Sequence, residues 1–196
     1  MTQIQLIAIV LFLCLAWISP AMAEEITFED DGWYSWEVPA GHGGQKSCCY
    51  SFNNGNIVRR GCRLDHGMDE FSITEPCDEY STSMQIFVEV RKGQIRNIQP
   101  LSSACPVKSD SEVVRIENVT ETQSVAWLKD QVAQNQQVAD DAVMALSFHT
   151  KDYALQSLVD LLEDRGQKQD TREQALFWLV QSDYDEAYAY LDRLLK

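Results

Sequence analysis

The sequence predicts an α+β protein, a small disulfide-stapled antiparallel β region followed by a short run of stacked helix pairs. Three observations carry this prediction. Apart from Cys14, the cysteines all fall between Cys48 and Cys105. Alternating apolar residues and Gly/Asn turn signals fill the same part of the chain. Residues 140–162 then reappear 33 positions later as 173–195: Ala142, Leu146, Asp152, Ala154, Leu158, Leu161 and Leu162 find Ala175, Leu179, Asp185, Ala187, Leu191, Leu194 and Leu195. A repeat of that period, with apolar positions three and four apart, marks helix pairs that stack on their neighbours and offer surface rather than a catalytic pocket.

From the N terminus, an apolar run over residues 4–18 ends in Ser19-Pro20-Ala21-Met22-Ala23, the small-x-small pattern of a secretory cleavage site. Residues 1–23 read as a signal peptide, with the mature chain beginning near Glu24. The run is shorter than the roughly 20 residues of a spanning helix, so no stable membrane anchor is expected after cleavage. The bulky Leu13 before Cys14 does not suit a lipoprotein signal. A periplasmic or secreted location follows. The chain carries 30 acidic residues against 16 Lys and Arg, a net charge of −14. Such a surface repels phosphate backbones and anionic lipid, which argues against nucleic-acid binding and peripheral membrane attachment.

Residues 24–118 form the expected β region. Trp33-Tyr34-Ser35-Trp36-Glu37-Val38 has the aromatic and β-branched content of a strand, ended by Pro39 and a Gly41-His42-Gly43-Gly44 loop. The runs 47–52 and 57–64 flank Asn53-Asn54-Gly55-Asn56, a hairpin turn signal. Met84, Ile86, Val88 and Val90 alternate along a further strand, and Arg91-Lys92-Gly93-Gln94 turns the chain into a partner over 95–98. Residues 112–119 can form a last strand. A domain of this size has a modest core and draws on disulfides as staples.

Cys48 and Cys49 are neighbours on a strand, so their side chains face opposite ways and take different partners. With a three-residue hairpin loop Cys48 lies across from Cys62; with the register shifted by one, Cys49 and Cys62 share a face diagonally. Either way Cys62 bonds within the hairpin. The cysteine left over reaches Cys105 in preference to Cys77. The disulfide candidates are thus Cys48, Cys49, Cys62 and Cys105. The competing use of the same residues is a zinc or copper site built from His42, Cys48, Cys49, Cys62 and His66, since Cys62-x-x-x-His66 has ligand-like spacing. The secretory context and the lack of any Cys-x-x-Cys pair favour disulfides, and no cofactor is expected.

Residues 119–196 read as helical, with helices near 122–135, 138–148, 151–164, 171–182 and 184–195. The first shows Val125, Leu128 and Val132 on one face with Trp127 to the side. Asp140, Asp152, Asp170 and Asp185 sit at helix starts, where a carboxylate opposes the dipole. The segments 142–146 and 175–180 are apolar on every side, which implies cover on more than one face.

The run Arg172-Glu173-Gln174-Ala175-Leu176-Phe177-Trp178-Leu179-Val180-Gln181-Ser182, followed by Asp185-Glu186-Ala187 and Leu191, resembles bacterial HEAT-type repeats. Gly32-Trp33-Tyr34-Ser35-Trp36, Cys48-Cys49, Gly61-Cys62-Arg63-Leu64-Asp65 and Cys105-Pro106-Val107 are similar to the N-terminal region of exported bacterial HEAT-repeat proteins of unknown function. The resemblance implies a short HEAT-like α-solenoid and protein–protein contact, and it supplies no catalytic residues.

Two repeats are few for a solenoid, so an apolar patch drawn from Phe177, Trp178, Tyr184, Tyr188 and Tyr190 is expected either to fill the core or to stand exposed with an acidic rim. Exposed, it would serve a protein partner in the envelope or self-association. The sequence contains no Gly-x-Ser-x-Gly elbow, His-Glu-x-x-His or phosphate-binding glycine loop, and a non-enzymatic binding or scaffold role is the expectation.

Overall fold

The computed structural model describes residues 26–65, 70–71, 81–194 and 196. The signal-peptide segment, His66 and Cys77 lie outside them. In chain order the elements are β1 (Gly32–Pro39), α1 (His42–Lys46), β2 (Cys49–Asn53), β3 (Asn56–Arg63), β4 (Glu70–Phe71), β5 (Ser83–Arg91) and β6 (Gln94–Ser102). They continue with β7 (Val107–Lys108), β8 (Val113–Arg115), α2 (Glu121–Gln134), α3 (Ala139–Ser147), α4 (Lys151–Glu163), α5 (Gln169–Gln181) and α6 (Asp185–Leu194).

A sheet ordered β6-β5-β1-β8 forms the middle layer. Alternate residues of a strand face opposite sides, and both sides are buried here. One face presents Tyr34, Trp36, Val38, Met84, Ile86, Val88 and Ile98 to Val125, Leu128 and Val132 of α2 and Ala142, Val143 and Leu146 of α3. The other presents Trp33, Phe87 and Leu101 to a smaller layer of β2, β3, β4 and β7, where Cys49, Cys62, Leu64 and Cys105 complete a second cluster. The change from β-rich to helical sequence falls near Asn118, but the first core runs across it: sheet and helices share one interior.

Both hairpins turn through two residues at positive φ, Asn54 (51°) and Gly55 (81°), then Lys92 (54°) and Gly93 (65°). This primed geometry matches the right-handed twist of the strands it joins. Asp31 caps the second turn by accepting the N–H groups of Gly93 and Lys92 at 2.9 and 2.7 Å, and those bonds hold its carboxyl below the usual value. β6 runs past the expected end at Ile98 to Ser102. Pro100 is tolerated because β6 lies at the sheet edge, where a missing N–H goes unnoticed.

Two pairings correct the antiparallel expectation: β8 runs parallel to β1, and β7 parallel to β3. Turn geometry dictates direction only for strands adjacent in sequence, whereas β7 and β8 reach their neighbours after long excursions. The Gly41-His42-Gly43-Gly44 segment is likewise no loop but the start of α1. Its glycines answer a close approach, since a Cβ on Gly41 would lie 2.2 Å from the His149 carbonyl oxygen, and one on Gly44 would lie 2.7 Å from that of Phe148.

Thr120 and Gln123 form a reciprocal capping box at the start of α2. Acidic residues occupy the first turns of all the later helices, opposing the dipole without making side-chain caps on α3, α4 or α5. The expectation that the apolar segments of α3 and α5 are covered on several sides holds for one of them. Ala142, Val143, Ala145 and Leu146 are all buried, while on α5 only Thr171, Ala175 and Leu179 are.

Gly44→Ala should destabilise the chain by about 1–3 kcal/mol, because its methyl must displace the backbone of Phe148 or the Met84 sulfur. Urea unfolding followed by tryptophan fluorescence measures this; an unchanged midpoint would show that the close approach is not maintained.

Candidate functional site

The helical end of the molecule carries the expected aromatic patch, and the structure sorts its members. Phe177 and Tyr188 are exposed, at 51% and 50% of their full surface, and Leu176 and Val180 on α5 stand exposed beside Phe177. Trp178 is half-buried, meeting Phe177 and Phe148 edge to face at 5.1 and 5.4 Å. With Tyr184, Phe148, Gly43, Ser147 and neighbouring residues it lines a cleft of about 170 Å³. An aromatic chain thus runs from exposed Phe177 to the Phe148 corner against which α1 rests.

The two remaining tyrosines differ. Tyr188 donates to Asp183 Oδ1 at 3.3 Å, and the charge of Asp183 raises its phenol above the usual range. Tyr190 is buried in the core and donates to Glu163 Oε1 at 3.2 Å, with burial the larger cause of its raised value. The structure therefore brings Phe177, Trp178 and Tyr184 together, leaves Tyr188 on the outer surface of α6 and spends Tyr190 on the core. Exposed Glu173, Asp183 and Asp185 give the region its acidic surroundings, while Glu186 is paired with Lys151.

The cysteines pair as Cys49–Cys62 and Cys48–Cys105. Cys49 stands opposite Arg60, so the two-residue turn sets the diagonal register that brings it to Cys62. Cys48, on the opposite side of the strand, reaches the loop after β6. The two bridges pack against each other, with Cys62 Sγ 3.6 Å from Cys105 Sγ, and the sulfurs of Cys48, Cys62 and Cys105 lie within 4.8 Å of one another. Of the residues considered as metal ligands, Cys48, Cys49 and Cys62 are spent on disulfides. His42 lies outside the sulfur group and bonds to Lys46 Nζ at 2.7 Å on the exposed side of α1.

A Ser–His pair escaped the sequence reading. Trp36 Nε1 donates to Ser124 Oγ at 2.9 Å, Ser124 Oγ lies 3.0 Å from His149 Nε2, and His149 Nδ1 lies 2.8 Å from the Ala145 carbonyl. The arrangement is self-consistent when Nδ1 carries the proton and Ser124 donates to Nε2, which leaves every member satisfied. Ser124 and His149 have no solvent-accessible surface, so the pair is a structural joint between sheet and helices rather than a nucleophile and base open to substrate. The repeat hid it, because position 149 pairs with Ser182 at the 33-residue offset and no His motif surrounds it.

No protein-family model, curated protein or solved structure matches this chain. The disulfides point to an oxidising environment outside the cytosol. Among the described residues, no helix is long and apolar enough to cross a membrane.

The buried imidazole sets a pH dependence. Burial pushes His149 below its ordinary 6.5, and the Ala145 carbonyl and the Glu121 charge only partly oppose this. Below pH 6.5 the unfolded chain therefore binds more protons at this site than the folded one, so stability is full above that value and falls as pH drops through it. One such group contributes a slope of at most about 1.4 kcal/mol per pH unit. The difference between wild-type and His149→Gln unfolding free energies, measured from pH 7.5 to 5, should shrink on acidification; a flat difference would mean that His149 titrates normally.

Proposed function

We propose that this chain is a periplasmic or secreted, non-enzymatic binding module whose second helix pair docks a protein partner in the manner of HEAT-like repeats. One observation carries the reading. At the 33-residue offset, Val143, Met144, Ser147 and Leu155 of the first pair are buried or half-buried, whereas their counterparts Leu176, Phe177, Val180 and Tyr188 are exposed. The sheet and α2 complete the packing of the first pair. The second keeps apolar side chains at the same positions, and at one of them a buried serine is replaced by an exposed valine. Apolar residues retained where none of the described residues covers them mark an interaction surface.

The surrounding carboxylates favour a partner with basic residues flanking an apolar segment, since like charge at the rim repels a second acidic chain. The alternative of a zinc- or copper-binding envelope protein draws on the same sulfur atoms only in a reduced chain, with Cys105 joining Cys48 and Cys62.

A photo-crosslinking residue at position 177 should capture a defined partner from an extract of the compartment, while the same residue at exposed Ile57 on β3 should not. Phe177→Asp combined with Tyr188→Asp should abolish capture by a crosslinker at position 180 and shift unfolding by no more than about 0.5 kcal/mol, as expected for surface positions. Equal capture from both faces, or capture untouched by the double substitution, would overturn the proposal.

A further inference from the structure

The two disulfides are more than independent staples. Each takes one residue of the vicinal pair Cys48-Cys49 and one residue from elsewhere, Cys105 or Cys62. The vicinal pair lies at the start of edge strand β2, and Cys48 is the half-exposed member of the group. Cys62 and Cys105 are buried, and their sulfurs are the ones that meet across the gap between the bridges, at 3.6 Å. A thiolate released on either inner cysteine is therefore already beside the sulfur it would attack.

We infer that the chain is a thiol–disulfide exchange relay, in which reduction by an external dithiol at the half-exposed Cys48 is passed through the Cys62–Cys105 sulfur contact to yield an inner Cys62–Cys105 disulfide and a vicinal Cys48-Cys49 dithiol. The inference goes beyond the binding role and does not depend on it.

The first step is attack of the external thiolate on Cys48 Sγ, which breaks the Cys48–Cys105 bond, forms a mixed disulfide at Cys48 and leaves a thiolate on Cys105. Cys105 then attacks Cys62 Sγ: the Cys62–Cys105 bond forms, the Cys49–Cys62 bond breaks, and the electron pair leaves on Cys49. The second thiol of the external dithiol resolves the mixed disulfide and departs as a cyclic disulfide. Its two electrons and two protons end on Cys48 and Cys49. Attack on Cys49 instead releases Cys62, which attacks Cys105 and expels Cys48, so either point of attack leads to the same product. The sulfurs need to close by only about 1.5 Å to reach bonding distance. Exchange between groups held this close also avoids the entropic cost of a bimolecular encounter.

The test uses the full chain carrying Cys14→Ser and Cys77→Ser, oxidised and then treated with one molar equivalent of dithiothreitol. The mixture is quenched in acid, alkylated and mapped by peptide mass spectrometry. The two-electron-reduced species should have lost both native disulfides, with Cys62 joined to Cys105 and both alkyl groups on the one peptide that holds Cys48 and Cys49. A dominant species retaining Cys49–Cys62 or Cys48–Cys105 would overturn the relay. The double variant Cys48→Ser with Cys49→Ser supplies a second reading, since it should form the Cys62–Cys105 bond on oxidation. A folded double variant, checked by circular dichroism, that keeps both thiols reduced under oxidant would also overturn it, and should that variant not fold, the peptide map alone decides.

Discussion

The structure depends on one buried hydrogen-bonded joint, in which the central strand, the first long helix and the corner between α3 and α4 meet through Trp36, Ser124 and His149. An unpaired donor or acceptor in such a place costs about 1–3 kcal/mol, so the joint constrains the angle at which helices may lie on the sheet more sharply than apolar packing alone. Its neighbours reinforce it. Trp127 closes edge to face on Trp36 at 5.1 Å, and Glu121 accepts both the N–H and the hydroxyl of Thr150, tying the start of α2 to the start of α4. The corner so fixed is where Phe148 and His149 crowd the glycines of α1. The sheet–helix interface, the helix corner and the rim of the aromatic cleft thus share one set of side chains.

The middle sheet owes its two buried faces to different sources of stability. Large apolar side chains fill the helix side, whereas four half-cystines take up much of the opposite side. In a chain-entropy account, a bridge spanning 57 residues contributes roughly 4 kcal/mol and one spanning 13 roughly 3. A small layer of short strands with few large hydrophobes needs such support.

How much of this could be read from the chain varies with the range of the interactions involved. The helices, both hairpins and the need of Cys48 and Cys49 for different partners are encoded locally, by 3.6-residue periodicity, by Asn-Gly and Lys-Gly turns and by the opposite facing of adjacent strand residues, whereas the pairing of Cys48 with Cys105 spans 57 residues. The parallel placement of β7 and β8 was not legible, because it is settled by packing between segments far apart in sequence. The identity of Gly41 and Gly44 was visible, but its cause, the backbone of residues 148 and 149 arriving against α1, was not. The aromatic patch was half legible. The sequence named the aromatic residues and left each of them open between core and surface; only the packing of the helices shows that Phe177 and Tyr188 stand exposed while Tyr190 turns inward to Glu163.

The bridge from Cys48 to Cys105 has a topological consequence. It closes a covalent ring that contains β2 through β6, while β1, the strand at the heart of the larger sheet, lies outside the ring and pairs with β5 inside it. A single backbone cut between those two cysteines opens the ring without dividing the molecule. The N-terminal piece with β1 and the C-terminal piece with all the long helices stay joined through sulfur. In an oxidising surrounding rich in proteases, such a chain can be nicked and remain one covalent body, whose halves separate only when that bridge is reduced or exchanged.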